Sequence, residues 1–422
     1  METRAEIICI GTEILLGEIL NTNAQYLAQQ LAALGIVHHY QTVVGDNLER
    51  IHRVLAIAAG RSNLILVTGG LGPTPDDLTT EAIASFFDTP LIEHPQIWAD
   101  IQAKYTRGNI PANNRKQAML PQGARILTNP VGTAPGMIWE PQPNLLILTF
   151  PGIPSELYAM WEAIAINEIK AKGWVKEIFY SRVLLYWGIS ESALAERVNH
   201  LFASTNPTVA PYANYGQARL RITARASSEA AAQDLIAPIE AEILQLTGQD
   251  CYGKDDQTLA SVVADLLKST NQTLAIAESC TGGWLGQMLT TLPGSSSFFL
   301  GGVISYSNDL KLKLLQVSSS DLDQHGAVSE EVAGQMAIGV QQLTGSNWGI
   351  SITGIAGPGG GSEQKPVGLV YIAIADPSHH SSVKKYQFSA TRGRDWIRRV
   401  SAYSALDQFR RSFVMINQSV SN

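Results

Sequence analysis

Two long stretches of this 422-residue chain, 1–160 and 259–413, alternate short apolar runs with segments of helical periodicity. That alternation constrains the fold more than any other feature. Strands of this kind, each followed by a helix, pair in parallel and have both sheet faces covered. In the first stretch the pattern predicts strands at 6–10, 37–43, 63–68 and 145–150, with helices at 22–34, 48–59 and 78–87. In the second it predicts strands at 273–277, 299–306, 348–353, 368–375 and 383–388. Helices at 258–268, 284–291, 308–316, 329–343 and 393–413 separate or follow them. Between these stretches the texture changes. Arg219, Arg221 and Arg225 alternate with apolar neighbours over 218–226, the period of a strand with one solvated face. A strand at 182–186, a helix at 190–201 capped by Ser190 and an Ala- and Glu-rich helix at 228–246 complete a small α+β module. The expected fold class is α/β: two three-layer domains, 1–168 and 253–422, joined by a module at 169–252, with residues 253–256 as a linker.

Hydrophobic residues make up 45% and charged residues 16%, which suits packed domains rather than a disordered scaffold. The net charge of −7 supplies no global field for nucleic acid or an anionic membrane. No apolar run approaches the length of a membrane span. Cys9, Cys251 and Cys280 are scattered and odd in number, so neither a disulfide framework nor a zinc cluster is expected. A cytoplasmic location is the expectation.

In the C-terminal stretch a strand runs into Glu278-Ser279-Cys280-Thr281-Gly282-Gly283, and a helical pattern begins at Trp284. A serine at such a turn presents its hydroxyl to a helix N-terminus, where free N–H groups stabilise negative charge. The alternative is that Ser279 or Thr281 simply caps the helix. Further polar loops follow: Ser295 and Ser296 in Pro293-Gly-Ser-Ser-Ser297; Tyr306-Ser307-Asn308 ahead of Lys311; Thr353-Gly354 with Gly357; and Arg392-Gly-Arg394. Loops at strand ends are where α/β proteins meet ligands.

The ordered motifs AESCTGG, PGSSS, GGVISYSNDLK, GAVSEEVA, TGIAGPGGG and KPVG resemble the nicotinamide-mononucleotide deamidase domain of the competence/damage-inducible protein A (CinA) family. The resemblance spans about 258–413. It implies hydrolysis of the nucleotide's carboxamide to the nicotinate mononucleotide and ammonia by a serine–lysine pair, here Ser279 and Lys311, with no cofactor. The chemistry suits those residues. An amide is a poor electrophile, and a covalent acyl-enzyme splits one hard step into two. A lysine serves as base only when neutral, which requires burial. Tyr306 either relays the Lys311 proton or is a strand-end aromatic. Glu278 binds the ribose or amide, or pairs with a cation. Arg392 and Arg394 are candidates for the phosphate. Cys280 is the rival nucleophile, and His325 reads as a helix stop.

In the N-terminal stretch a strand leads into Thr68-Gly69-Gly70-Leu-Gly72-Pro-Thr-Pro-Asp76-Asp77. Its glycines let backbone N–H groups approach a phosphate. The acidic pair stands where a divalent cation bridging phosphates finds oxygen ligands, or where a helix finds its cap. This run, with Gly11-Thr-Glu-Ile-Leu-Leu-Gly17, Gly132-Thr-Ala-Pro-Gly136 and Phe150-Pro-Gly152-Ile-Pro154-Ser-Glu156, resembles the molybdopterin-binding-like N-terminal part of the same family. The resemblance implies metal-dependent hydrolysis of the ADP-ribose diphosphate, with Asp77 functional and Asp46 in a second acidic loop. It also implies a homodimer, and a KH-like middle module. No Gly-x-x-Gly loop occurs in that module, whose residues 174–250 carry six basic against eight acidic side chains. Nucleic-acid binding is therefore not expected; small nucleotides are the expected partners. A role in DNA uptake, suggested by the family's name, is the competing reading, as is an N-terminal domain that only binds a pterin or nucleotide.

Overall fold

The computed structural model describes residues 3–105, 110–175, 177–214 and 216–420. The chain divides into two compact units, Met1–Tyr180 with Ala224–Leu235, and Ser181–Thr223 with Ile236–Asn422.

In the first unit, strands β1 (Arg4–Ile10), β2 (Val37–Val44) and β3 (Leu64–Thr68) belong to a six-stranded sheet. Strands β6 (Arg125–Leu127), β7 (Gly136–Gln142) and β8 (Leu145–Phe150) complete it in the order β2-β1-β3-β8-β7-β6. The first four of that order run parallel; β7 pairs antiparallel with β8, and β6 antiparallel with β7. Strands β4 (Leu91–Glu93) and β5 (Met119–Pro121) form a separate small pair. The unbroken apolar runs of β3 and β8 are wholly buried, as strands with two covered faces must be. Polar starts set the helices. Asn21 accepts from the Ala24 N–H ahead of Thr22–Ala33, and Asn47 from the Arg50 N–H ahead of Leu48–Arg61.

The module sheet consists of β9 (Ile178–Tyr186), β10 (Thr208–Asn214), β11 (Gln217–Ala226) and β12 (Cys251–Lys254), in the order β10-β11-β9-β12. Two expectations are corrected here, and one strand was not foreseen. Residues 253–256 are no linker: β12 pairs antiparallel with β9, and the Asp255 carboxylate accepts from the Val183 N–H at 3.0 Å. The helix expected over 190–201 breaks after Arg197 into the 3-10 turn Asn199–Ala203. Strand β10 escaped the sequence pattern because prolines at 207 and 211 interrupt its alternation.

The C-terminal sheet contains β13 (Leu274–Glu278), β14 (Phe299–Ile304), β15 (Trp348–Gly354), β16 (Leu369–Ala375) and β17 (Ser381–Gln387), ordered β14-β13-β15-β16-β17. Strands β14, β13 and β15 are parallel, and β16 and β17 are antiparallel. Glu278 pairs with Ile304 on one side and Ile352 on the other, so three strand ends and their loops meet at one edge. The final helix, Gly393–Val420, contributes Ile397, Ala405, Leu406 and Phe409 to the core. Helix Ser319–His325, absent from the sequence reading, is one short turn-like element with Ser318 as its cap.

Candidate active site

Strand β13 ends at Glu278, and the chain turns through Gly282 and Gly283, at φ +58° and +94°, into helix Trp284–Thr290. Left-handed backbone at both positions favours glycine. The Ser279 N–H donates to the Ile352 carbonyl at 2.9 Å, tying the turn to β15. Next to it, Ser307 caps helix Asn308–Leu315, accepting from the Leu310 N–H, and so sets Lys311 in that helix's first turn. Lys311 is only 1% exposed. Its Nζ donates to the Ser305 carbonyl at 2.6 Å and to Ser279 Oγ at 3.2 Å. Burial holds its pKa below the ordinary lysine value, and among the described residues no carboxylate pairs with it.

Glu278 sits elsewhere than at a ligand. It is 1% exposed, and its carboxylate accepts from the N–H groups of Gly283, Leu285 and Gly286 at 3.0, 3.2 and 2.8 Å. The helix N-terminus expected to meet negative charge on a substrate is therefore already occupied by this side chain. The N–H groups of Cys280 and Thr281, the two residues after the serine, have no backbone acceptor among the described residues. Burial pushes the Cys280 thiol up to about 12, which keeps it a thiol at neutral pH.

Arg394 gathers the remaining loops. It donates to the Gly357 carbonyl at 2.7 Å and to the Tyr306 hydroxyl at 3.0 Å. Tyr306 is 59% exposed and turned toward that guanidinium rather than the buried Lys311 ammonium. Arg392 lies exposed with its guanidinium over the Trp396 ring. Thr353 is fully buried and donates its hydroxyl to the Ala327 carbonyl at 2.7 Å, so that hydroxyl is engaged within the protein. Arg398, not singled out from the sequence, donates to the Thr281 carbonyl at 2.8 Å and braces the serine turn. No motif marked it; it lies inside an ordinary helical pattern.

Ser295 and Ser296 are not part of this gathering. They precede β14, whose first residue Phe299 pairs with Leu274 at the start of β13. At about 3.3 Å per residue, β13 separates that loop from Ser279 by ~13 Å. In a parallel sheet, the loop entering a strand lies opposite the loop leaving its neighbour.

In the N-terminal domain, Gly69, Gly70, Gly72, Asp46, Asp76, Asp77, Gly152 and Pro154 all line one cavity of about 560 Å³. Glu13, Gln117 and Glu156 join them, although only the motifs around Glu13 and Glu156 were noted from sequence. Asp46 Oδ2 accepts from the Thr12 N–H and hydroxyl, both at 2.8 Å. Asp77 Oδ2 accepts from the Thr74 N–H at 2.8 Å and from its hydroxyl. Each carboxylate thus keeps Oδ1 outside these bonds. No group of three His, Cys, Asp or Glu side chains converges as a metal site among the described residues. That donor set still fits a magnesium-like ion, which takes one or two carboxylates and completes its shell with phosphate oxygens and water. Gly69, at φ +100°, would place a Cβ 2.0 Å from the Ile10 carbonyl oxygen. Gly69→Ala is expected to destabilise this domain by about 2 kcal/mol or more, read as a lowered denaturation midpoint.

Among the described residues, no helix is long and apolar enough to cross a membrane. Residues 6–171 match the model of a probable molybdopterin binding domain, 181–253 that of the damage-inducible protein CinA KH domain, and 256–413 that of the CinA C-terminal domain. A CinA-like protein of Thermosynechococcus vestitus is 60% identical over 97% of this chain and 99% of its own length. One from Nostoc punctiforme is 59% identical over 97% of this chain and 99% of its own. A solved CinA structure from Thermoplasma acidophilum is 34% identical, covers 39% of this chain and 98% of that one, and has a TM-score of 0.38. Near-full-length identity at this level leaves one conclusion: the chain belongs to the CinA-like protein family.

Proposed function

We propose that the C-terminal domain is an amidohydrolase acting on nicotinamide mononucleotide, with Ser279 as nucleophile and Lys311 as its base. The observation that carries this is the buried Lys311 Nζ, 3.2 Å from Ser279 Oγ and without a carboxylate partner among the described residues. Neutral Lys311 takes the hydroxyl proton as Ser279 Oγ bonds to the carboxamide carbon. The carbonyl oxygen, now negative, lies against the Cys280 and Thr281 N–H groups. The C–N bond then breaks, and the Lys311 proton leaves with ammonia. Water hydrolyses the resulting ester on Ser279 to release the nicotinate mononucleotide, with Lys311 again relaying the proton. Arg392 and Arg394 bring positive charge to the same rim for the phosphate.

The test is direct. Purified chain incubated with nicotinamide mononucleotide should release ammonia and the nicotinate nucleotide in equal amounts. Absence of both, with the chain folded, refutes the assignment. The pH profile checks the base: kcat should rise with pH as Lys311 loses its proton. Because burial lowers that pKa, the rise should be centred below the ordinary ~10.4.

For the N-terminal domain, the reading is hydrolysis of the diphosphate of ADP-ribose. Support comes from the glycine turn and the acidic side chains that share one cavity. Asp46 and Asp77, with Asp76 beside them, would hold a divalent cation that neutralises diphosphate charge. Homodimerisation is part of the same proposal, and sedimentation would test it.

A further inference from the structure

Behind the glycine turn of the N-terminal domain lie two buried acceptors with nothing to accept. Gln117 is 8% exposed, and its Nε2 donates to the Leu71 carbonyl at 3.2 Å. That bond sets the amide's orientation, because the flipped form would place carbonyl against carbonyl. Oε1 therefore faces away from Leu71, and among the described residues no donor reaches it. The Glu81 side chain, on helix Thr79–Phe86, is 33% exposed, yet one of its oxygens is buried. Lys116 Nζ lies 3.1 Å from its Oε1, while the buried Oε2 has no partner among the described residues. Both side chains line a void of about 10 Å³ walled also by Gly70, Leu71, Gly72 and Asp77. Those last four residues and Gln117 line the 560 Å³ cavity as well. A polar void of this size holds one water, and a buried acceptor left unpaired is costly unless one fills it. Water carries two hydrogens; the void offers two acceptors.

We propose that this void is the station of the attacking water for diphosphate hydrolysis, with Glu81 as general base and Gln117 as the group that orients the water. The inference rests on the diphosphatase reading given above. With its hydrogens on Glu81 Oε2 and Gln117 Oε1, the water turns its remaining lone pair toward a phosphate held by the Gly70–Gly72 backbone. Its oxygen bonds to phosphorus as the bond from phosphorus to the bridging oxygen breaks. The electron pair leaves on that oxygen, which departs as part of the second monophosphate. Glu81 takes one water proton and returns it to solvent; the other ionises from the new phosphate. A glutamine that orients water for phosphoryl transfer is an established device in nucleotide hydrolases.

The experiment uses the full chain with ADP-ribose and magnesium, beside binding of inorganic pyrophosphate. Gln117→Leu is expected to lower kcat about 10²-fold with KM and pyrophosphate affinity within about twofold. Glu81→Ala is expected to lower kcat about 10³-fold, and added formate, which replaces the missing carboxylate, to restore part of it. Glu81→Gln keeps the side chain's size, guards against a folding defect, and should be equally slow. Loss of pyrophosphate binding together with kcat, or a Glu81→Ala defect indifferent to formate, would mean a structural role and overturn the proposal. Full kcat in both variants would overturn it too, while leaving the diphosphatase reading intact. A wild-type chain that cleaves no ADP-ribose sinks that reading, and the water station with it.

Discussion

Replacing Lys311 with methionine is expected to lower ammonia release from nicotinamide mononucleotide by about 10³-fold or more, with the protein still folded. Methionine fills nearly the same volume but removes the amine that reaches Ser279 Oγ. Its folding cost is the Ser305 carbonyl left without that donor, about 1–3 kcal/mol. The relief of a buried ammonium offsets part of that loss. Ser279→Ala should be as slow, and the double variant no slower than either single one, because two groups that act as a unit are lost together. Cys280→Ala should retain most of the turnover, since its buried thiol stays protonated. Steady-state ammonia assays on the four variants decide the matter. An active Ser279→Ala beside a dead Cys280→Ala would transfer the nucleophile to sulfur.

The second large effect belongs to Glu278. Glu278→Ala removes the acceptor for three N–H groups at the start of helix Trp284–Thr290, that of buried Leu285 and those of half-buried Gly283 and Gly286. A loss of roughly 3 kcal/mol is expected, which lowers the C-terminal domain's thermal midpoint by about 6–12 °C. Activity should fall with it, because the Ser279 turn hangs from the same helix end. Glu278→Gln, still an acceptor but with an NH₂ facing N–H donors, should lie between. Calorimetry showing an unchanged midpoint for Glu278→Ala would refute the capping account.

The alternation of apolar runs and helical segments made both α/β sheets legible, because continuous apolar strands report burial on two faces. Residues 145–150, read as a strand from composition alone, are β8 to the residue. Antiparallel β7 and β6 were not legible, since β7 mixes buried residues with Glu140, Pro141 and Gln142. The module's strand β12 hid behind a glycine and two aspartates that looked like a linker. At the site, motif order brought out Ser279 and Lys311, but not what surrounds them. Glu278 stands beside the serine in sequence, yet its side chain belongs to the next helix. Ser295 looked like a ligand residue because polarity carries no record of which sheet edge a loop occupies. Gln117 and Glu81 left no trace either, for an unsatisfied acceptor exists only once neighbours have failed to satisfy it.

The contact from Arg398 to the Thr281 carbonyl crosses 117 positions of sequence, and Arg394 reaches back 88 to Tyr306. Both arginines belong to helix Gly393–Val420, which is made after every strand of the sheet it braces. A nascent chain can therefore carry β13 and the helix after it while the Ser279 turn still lacks its brace, which arrives only with this helix.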